Sequence, residues 1–157
     1  MDRAWLARLT AEGAIEQCPR DPVWVERVLV DSRLDLEWAR RKLAEEHLSH
    51  PAGAAADGWE AALKAIQGYL NLARLRLTDR PGHHVAALNA AAALLDERWQ
   101  PLLRRLRDLR RARRSGVYEV GEPPDVAVLN LYLNDVQALI DHLEVTLKRA
   151  TQSLDPS

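Results

Sequence analysis

From Val126 to Leu147 the chain spells out one helix. Val126, Leu129, Leu133, Val136, Ile140, Leu143 and Leu147 step alternately by three and four residues. That a/d spacing keeps apolar side chains on one side of an α-helix. Pro123-Pro124 ahead of Asp125 mark its start. Leu131, Tyr132 and Leu139 widen the stripe beyond a two-stranded seam, so it must be covered from more than one side. It belongs in the core of a helical bundle, and a bundle helix that also pairs with a second copy satisfies the same pattern.

The remainder supports this architecture. The chain has no Phe, and Ala, Leu and Arg, all good helix formers, dominate it. No segment alternates apolar and polar residues at period two, so no sheet is expected. Breaks fall at Pro19–Pro22, Ser49–Gly58, Thr78–Gly82, Gln100-Pro101 and Ser115–Pro124. Helices are expected over Asp2–Glu16 and from the Asp21-Pro22 cap to about His47, the latter with the stripe Val25, Leu29, Ser32, Leu36, Ala39 and Leu43. A third runs from about Asp57, with Trp59, Ala62, Leu63, Ile66, Leu70 and Ala73 on one side. A fourth covers His83–Glu97 and a fifth Pro101–Arg114, ended by Gly116. The fourth and fifth also read as one helix kinked at Pro101. Trp24 and Trp38 read as packing anchors. The expected fold is all-α, an up-and-down bundle of five to six helices in a single domain spanning 1–157. Residues 1–50 would pack as N-terminal helices on a core at 57–150.

Several chemistries have no residues to carry them. A single cysteine, Cys18, forbids an internal disulfide and a cysteine-based zinc site. No apolar run is long enough to span a bilayer, and Asp2-Arg3 leads into an amphipathic pattern with no signal-peptide core. A cytoplasmic protein without a membrane partner is expected. His47 and His50 stand three apart beside Glu45 and Glu46, but His83 and His84 are adjacent and point about 100° apart on a helix. There is no His-Glu-x-x-His, no glycine-rich phosphate loop and no serine elbow, so neither metal nor cofactor is expected.

Arginine is what remains. Residues Arg98 to Arg114 hold eight arginines and one acid, Asp108. That is +7, which leaves −8 on the rest of a chain whose net charge is −1. Either neighbouring helices supply acids to this face, or it attracts phosphate. With Leu102 set at zero on a helical wheel, Leu106 and Leu109 fall within about 40° of it, and so does Arg113. Arg104, Arg107, Arg111 and Arg114 face away, while Arg105 and Arg110 flank the leucines. A guanidinium does not lose its charge, and burying it unpaired costs several kcal/mol. Arg113 therefore pairs with an acid such as Glu60, Asp96, Asp135 or Asp141, or faces a cleft or subunit interface and holds an anion, or lies beyond the end of the helix.

The stretch Trp59–Arg149, about 90 residues, resembles the HEPN superfamily of small all-α domains. The resemblance rests on Ala61-Ala62-Leu63-Lys64-Ala65 with Tyr69-Leu70-Asn71-Leu72-Ala73, on Pro81-Gly82-His83-His84-Val85-Ala86-Ala87-Leu88, on Leu106–Arg114 preceding Tyr118, and on the long final helix. Active members carry R-x4–6-H, often with Asn after the Arg, and two copies form a homodimer cleft that cuts RNA without metal. Arg113 matches the family arginine, Arg114 stands where Asn is common, and Tyr118 stands in the histidine position. The next histidine is His142.

The resemblance thus implies a homodimer of the kind found in bacterial stress, defence or toxin–antitoxin systems, associating with RNA or nucleotide phosphate. Its candidate catalytic pair is Arg113 and Tyr118, with Arg107, Arg110, Arg111 and Arg114 as phosphate ligands. It also admits a non-catalytic module that docks a cognate antitoxin or nucleotidyltransferase-like partner, and a weak metal-independent endoribonuclease in which Tyr118 replaces the histidine.

Overall fold

The computed structural model describes residues 1–44, 50–114 and 125–153, without the side chains of 111–114. Its six described α-helices are α1 (Arg3–Ala11), α2 (Pro22–Ala44), α3 (Pro51–Leu72), α4 (His83–Leu94), α5 (Gln100–Arg114) and α6 (Val126–Gln152). The all-α bundle is as expected. The final helix follows its seam closely: Leu129 through Leu147 of the seam are buried, as are Tyr132 and Leu139, and of the seam residues only Val126 at its start is exposed. Leu131, expected to widen the covered stripe, instead points outward and is 61% exposed.

α3 is the axis of the bundle. It packs on α2, α4 and α6 and is buried along nearly its whole length. α2 runs antiparallel to it, fixed by Lys42–Asp57 and Lys64–Asp35 ion pairs, both 2.6 Å, and by the buried Ser32 Oγ donating to the Ala61 carbonyl at 3.0 Å. The expected Asp21 cap holds, with its Oδ1 accepting from the Trp24 backbone N–H at 2.9 Å. The start of α2 is pinned to the end of α3 by Asn71, whose Oδ1 accepts from the Asp21 N–H at 2.8 Å. Two glycines bring α6 close to α3. A Cβ on Gly58 would stand 2.6 Å from Leu133 Cδ2, and one on Gly68 would stand 2.7 Å from Leu143 Cδ2.

Several expectations are corrected. α3 begins at Pro51 rather than near Asp57, so the sequence break at Ser49–Gly58 lies partly inside a helix. His50 caps it, Nδ1 accepting from the Gly53 N–H at 2.8 Å. α1 stops at Ala11 rather than Glu16, because Gly13 turns the chain with φ +68°. A small sheet is present where the sequence predicts none. Strands β1 (Ile15–Gln17) and β2 (Leu75–Leu77) pair antiparallel, Ile15 opposite Leu77 and Gln17 opposite Leu75. Trp24 and Trp38 are not packing anchors: they are 37% and 56% exposed, while Trp59 and Trp99 are buried.

α4 and α5 are two helices, not one kinked at Pro101. α4 ends at Leu94, short of Glu97; Leu95 is extended, and a 3-10 turn over Glu97–Trp99 leads into α5. The Arg107 guanidinium reaches Asn89 Oδ1 of α4 at 3.3 Å. Helices in line would hold those residues about 27 Å apart, so the pair folds back on itself.

Candidate nucleic-acid interface

The buried side of α5 is Leu102, Leu103 and Leu106, with Leu109 partly covered. Leu103 and Leu106 are wholly inside, so the inward arc is centred beyond Leu102, toward the side of Arg110. That phase decides how each described arginine is used. Arg104 points outward and is exposed. Arg105 leans toward α6 and pairs with Asp135 at 2.9 Å. Arg107 leans toward α4 and finds only the neutral amide of Asn89. Arg110 is half-buried and makes no ion pair among the described residues.

Before α5, Arg98 pairs with Asp96 at 3.1 Å. Neighbouring acids therefore neutralise Arg98 and Arg105 and leave Arg104, Arg107 and Arg110 without a carboxylate among the described residues. Of the acids that could pair with Arg113, Asp96 and Asp135 are already engaged, Asp141 accepts from Gln137 at 2.9 Å with Arg33 at 3.7 Å, and Glu60 makes no ion pair among the described residues. The side chains of Arg111, Arg113 and Arg114, and Tyr118 altogether, lie outside the described residues. So does His47.

An aromatic and cationic cluster sets the root of α5, and no motif in the sequence announces it. Arg98 lies over the Trp99 ring, 4.9 Å from its centroid, and its Nη2 is 3.0–3.1 Å from both ring nitrogens of His142 on α6. A nitrogen that close to both lies on neither lone-pair axis. It sits astride the imidazole. Trp99 stacks on the same imidazole at 5.6 Å, and Tyr69 of α3 approaches it at 5.7 Å. Burial, and then the Arg98 charge, hold His142 below its ordinary pKa. Burial likewise pushes the Tyr69 phenol, which donates to the Leu139 carbonyl at 3.2 Å, above its ordinary range. His142, the first histidine after Arg113 in sequence, thus belongs to Arg98 at the beginning of α5.

His83 and His84 open α4, their rings 4.1 Å apart, with His84 against the buried Trp59 at 6.0 Å. The helical cap there is Gly82, without a side-chain bond, so neither imidazole caps the helix. Because α4 and α5 fold back on each other, this pair lies toward the C-terminal end of α5.

Among the described residues, no three His, Cys, Asp or Glu side chains converge as a metal site requires, and no helix is long and apolar enough to cross a membrane. What the described surface of α5 can do is attract a polyanion. Arg98 at its root is held by the aromatic cluster, and among the described residues Arg104, Arg107 and Arg110 have no carboxylate partner. In comparisons with family models, curated proteins and solved structures, nothing matches the chain.

Proposed function

We propose that α5 is a polyphosphate-binding surface and that RNA is its ligand. One observation carries this reading: Arg104, Arg107 and Arg110 have no carboxylate partner among the described residues, although the rest of the chain is acidic by eight charges. Guanidiniums kept apart from acids retain their capacity for bidentate hydrogen bonds to phosphate. Their field adds to that of Arg111, Arg113 and Arg114 and favours encounter with a polyanion at low salt. The resemblance to HEPN domains points to the same helix and the same class of ligand.

Fluorescence anisotropy with a labelled single-stranded RNA, followed across a salt series, tests the proposal. Binding should weaken linearly in log–log form. Removing one arginine–phosphate pair should flatten the slope by about 0.7, so Arg104→Ala/Arg107→Ala/Arg110→Ala should flatten it by about 2. Arg105→Ala, whose charge Asp135 already offsets, should change the slope far less. An unchanged slope in the triple variant, or no RNA binding at low salt, refutes the reading.

A further inference from the structure

α2 carries apolar residues on two opposite sides. Its inner side is Val25, Leu29, Ser32 and Leu36, buried on α3 and α6. At 100° per residue, Val30, Leu34 and Trp38 fall within an arc of about 80° on the outer side. On α6, Leu131, Ala138 and Val145 recur every seven residues, and all are exposed.

The two ridges look the same way. Arg33 of α2 reaches Glu144 and Asp141 of α6, and Arg40 of α2 reaches Asn134 at 3.3 Å, so the helices lie side by side and antiparallel. Measured from that seam, both outer stripes stand roughly perpendicular to the plane of the pair. Val30 then lies abreast of Val145 and Trp38 abreast of Ala138, with Leu131 further along the same ridge. The five large side chains are each 43–61% exposed.

From these observations we infer that the α2–α6 face is the contact surface for a second copy of this chain. Two features select that occupant. The first is area. Five half-exposed large apolar side chains present roughly 500 Å², near the top of the ~300–600 Å² expected for the largest patch on a monomer. With the polar row between the ridges, the face approaches the ~800 Å² per partner of a standard interface.

The second is charge. Along the seam α2 contributes Arg33 and Arg40, with Arg41 holding Glu37 beside them, and α6 contributes Asn134, Asp141 and Glu144, with Lys148 holding Glu144, so the α2 edge is net positive and the α6 edge net negative. A two-fold axis lying in the interface along the seam sets α2 of one copy over α6 of the other. Cations then meet acceptors on both sides, as an isologous contact requires. The result is a four-helix arrangement with every facing pair antiparallel. A strongly acidic or basic partner would find half of this face repulsive.

α5 lies on the flank of α6 away from α2, held there by Arg105–Asp135 and Arg98–His142. The same two-fold therefore carries the two α5 helices to opposite edges of the dimer. Each basic surface is then a complete site in its own right, not half of a shared cleft. The inference stands independently of whether α5 binds RNA.

Sedimentation velocity on the full chain tests it. Wild type should sediment as a species of twice 17.7 kDa at micromolar concentration. Leu34→Glu/Leu131→Glu should raise the dimer dissociation constant at least about a hundredfold, because each charge is placed twice in a dry two-fold contact. Both positions are exposed, so the helical circular dichroism and the melting temperature of the dilute protein should be preserved. A wild type that stays monomeric at about 100 μM overturns the inference and leaves the face to a different partner. A dimer untouched by the double substitution also overturns it, placing the contact elsewhere, for example at the α5 end where the HEPN resemblance puts it.

Discussion

Gly58 offers a sharp check on how α3 and α6 are packed. In an ordinary helix, replacing Gly with Ala gains about 1 kcal/mol from reduced backbone freedom in the unfolded chain. Here the new methyl would stand 2.6 Å from Leu133 Cδ2 and 2.9 Å from Tyr132 Cε1. Both neighbours are 1% exposed and have nowhere to move, and the tyrosine ring cannot bend away as an aliphatic tip does. Overpacking of this kind costs about 1–3 kcal/mol. Two rigid contacts put Gly58 toward the upper end, so Gly58→Ala should be destabilising by about 1–2 kcal/mol on balance, even though it improves helix propensity. For a domain of this size that lowers the melting temperature by about 2–8 °C. The cause can be isolated with Leu133→Ala. Alone it should cost about 2–5 kcal/mol as a cavity, and in the presence of Gly58→Ala it should cost less, with a coupling of about 1 kcal/mol or more. A Gly58→Ala variant that melts higher than wild type, or strict additivity of the pair, would refute the claim that this glycine sets the distance between the two helices.

His142 should make stability depend on pH in one direction. Its folded pKa lies below the ordinary value, so the neutral imidazole favours the fold; this contribution is complete above about 6.5, declines as pH falls below that, and levels off below the folded pKa. Urea unfolding at pH 7.5 and pH 5 should therefore differ more for wild type than for His142→Gln, and equal differences would refute the depression that burial and then the Arg98 charge are said to cause. Glu144, whose carboxylate is bound by Lys148 and Arg33, should titrate near 2 in an NMR experiment, and its stabilising contribution, present above about 4.5, should be lost as pH falls from there through about 2. Arg33→Ala should raise the midpoint only part of the way, because Lys148 remains; a midpoint already at the ordinary carboxylate value in wild type would contradict the pairing.

Strong patterns are legible in the sequence and weak ones are not, for physical reasons. α2 and α6 bury the stripes that their spacing announces, because each has one dominant contact side. α3 is surrounded, so its first turns, Pro51-Ala52-Gly53-Ala54, need small residues rather than a periodic stripe, and they read as a break. Strands of three residues leave no room for alternation. Trp24 and Trp38 mislead because α2 is apolar on two sides and only one of them meets the core. On α5 the leucine stripe is plain in the spacing, but a wheel centred on Leu102 misses the depth of Leu103, which shifts the inward arc. The contact between Arg98 and His142 joins residues 44 apart, which no local spacing reveals. The basic character of α5 is read directly from its residues; that Arg105 is offset and Arg104, Arg107 and Arg110 are not depends on Asp135, known only once α6 is in place.

The little ribbon of β1 and β2 bears on the order in which the molecule can assemble. It joins segments about sixty residues apart, a closure costing about 3–4 kcal/mol in chain entropy that strands of three residues cannot repay by themselves. The α2–α3 hairpin removes that cost beforehand, since Asp21 and Asn71 already meet at its open end. The ribbon is thus a clasp fastened after the hairpin has formed. α1 packs back on α4, where the Asp2 N–H donates to the Ala93 carbonyl at 2.7 Å; with Leu9 as its one buried residue it should open at a lower free energy than α2 or α3, which amide hydrogen exchange would read.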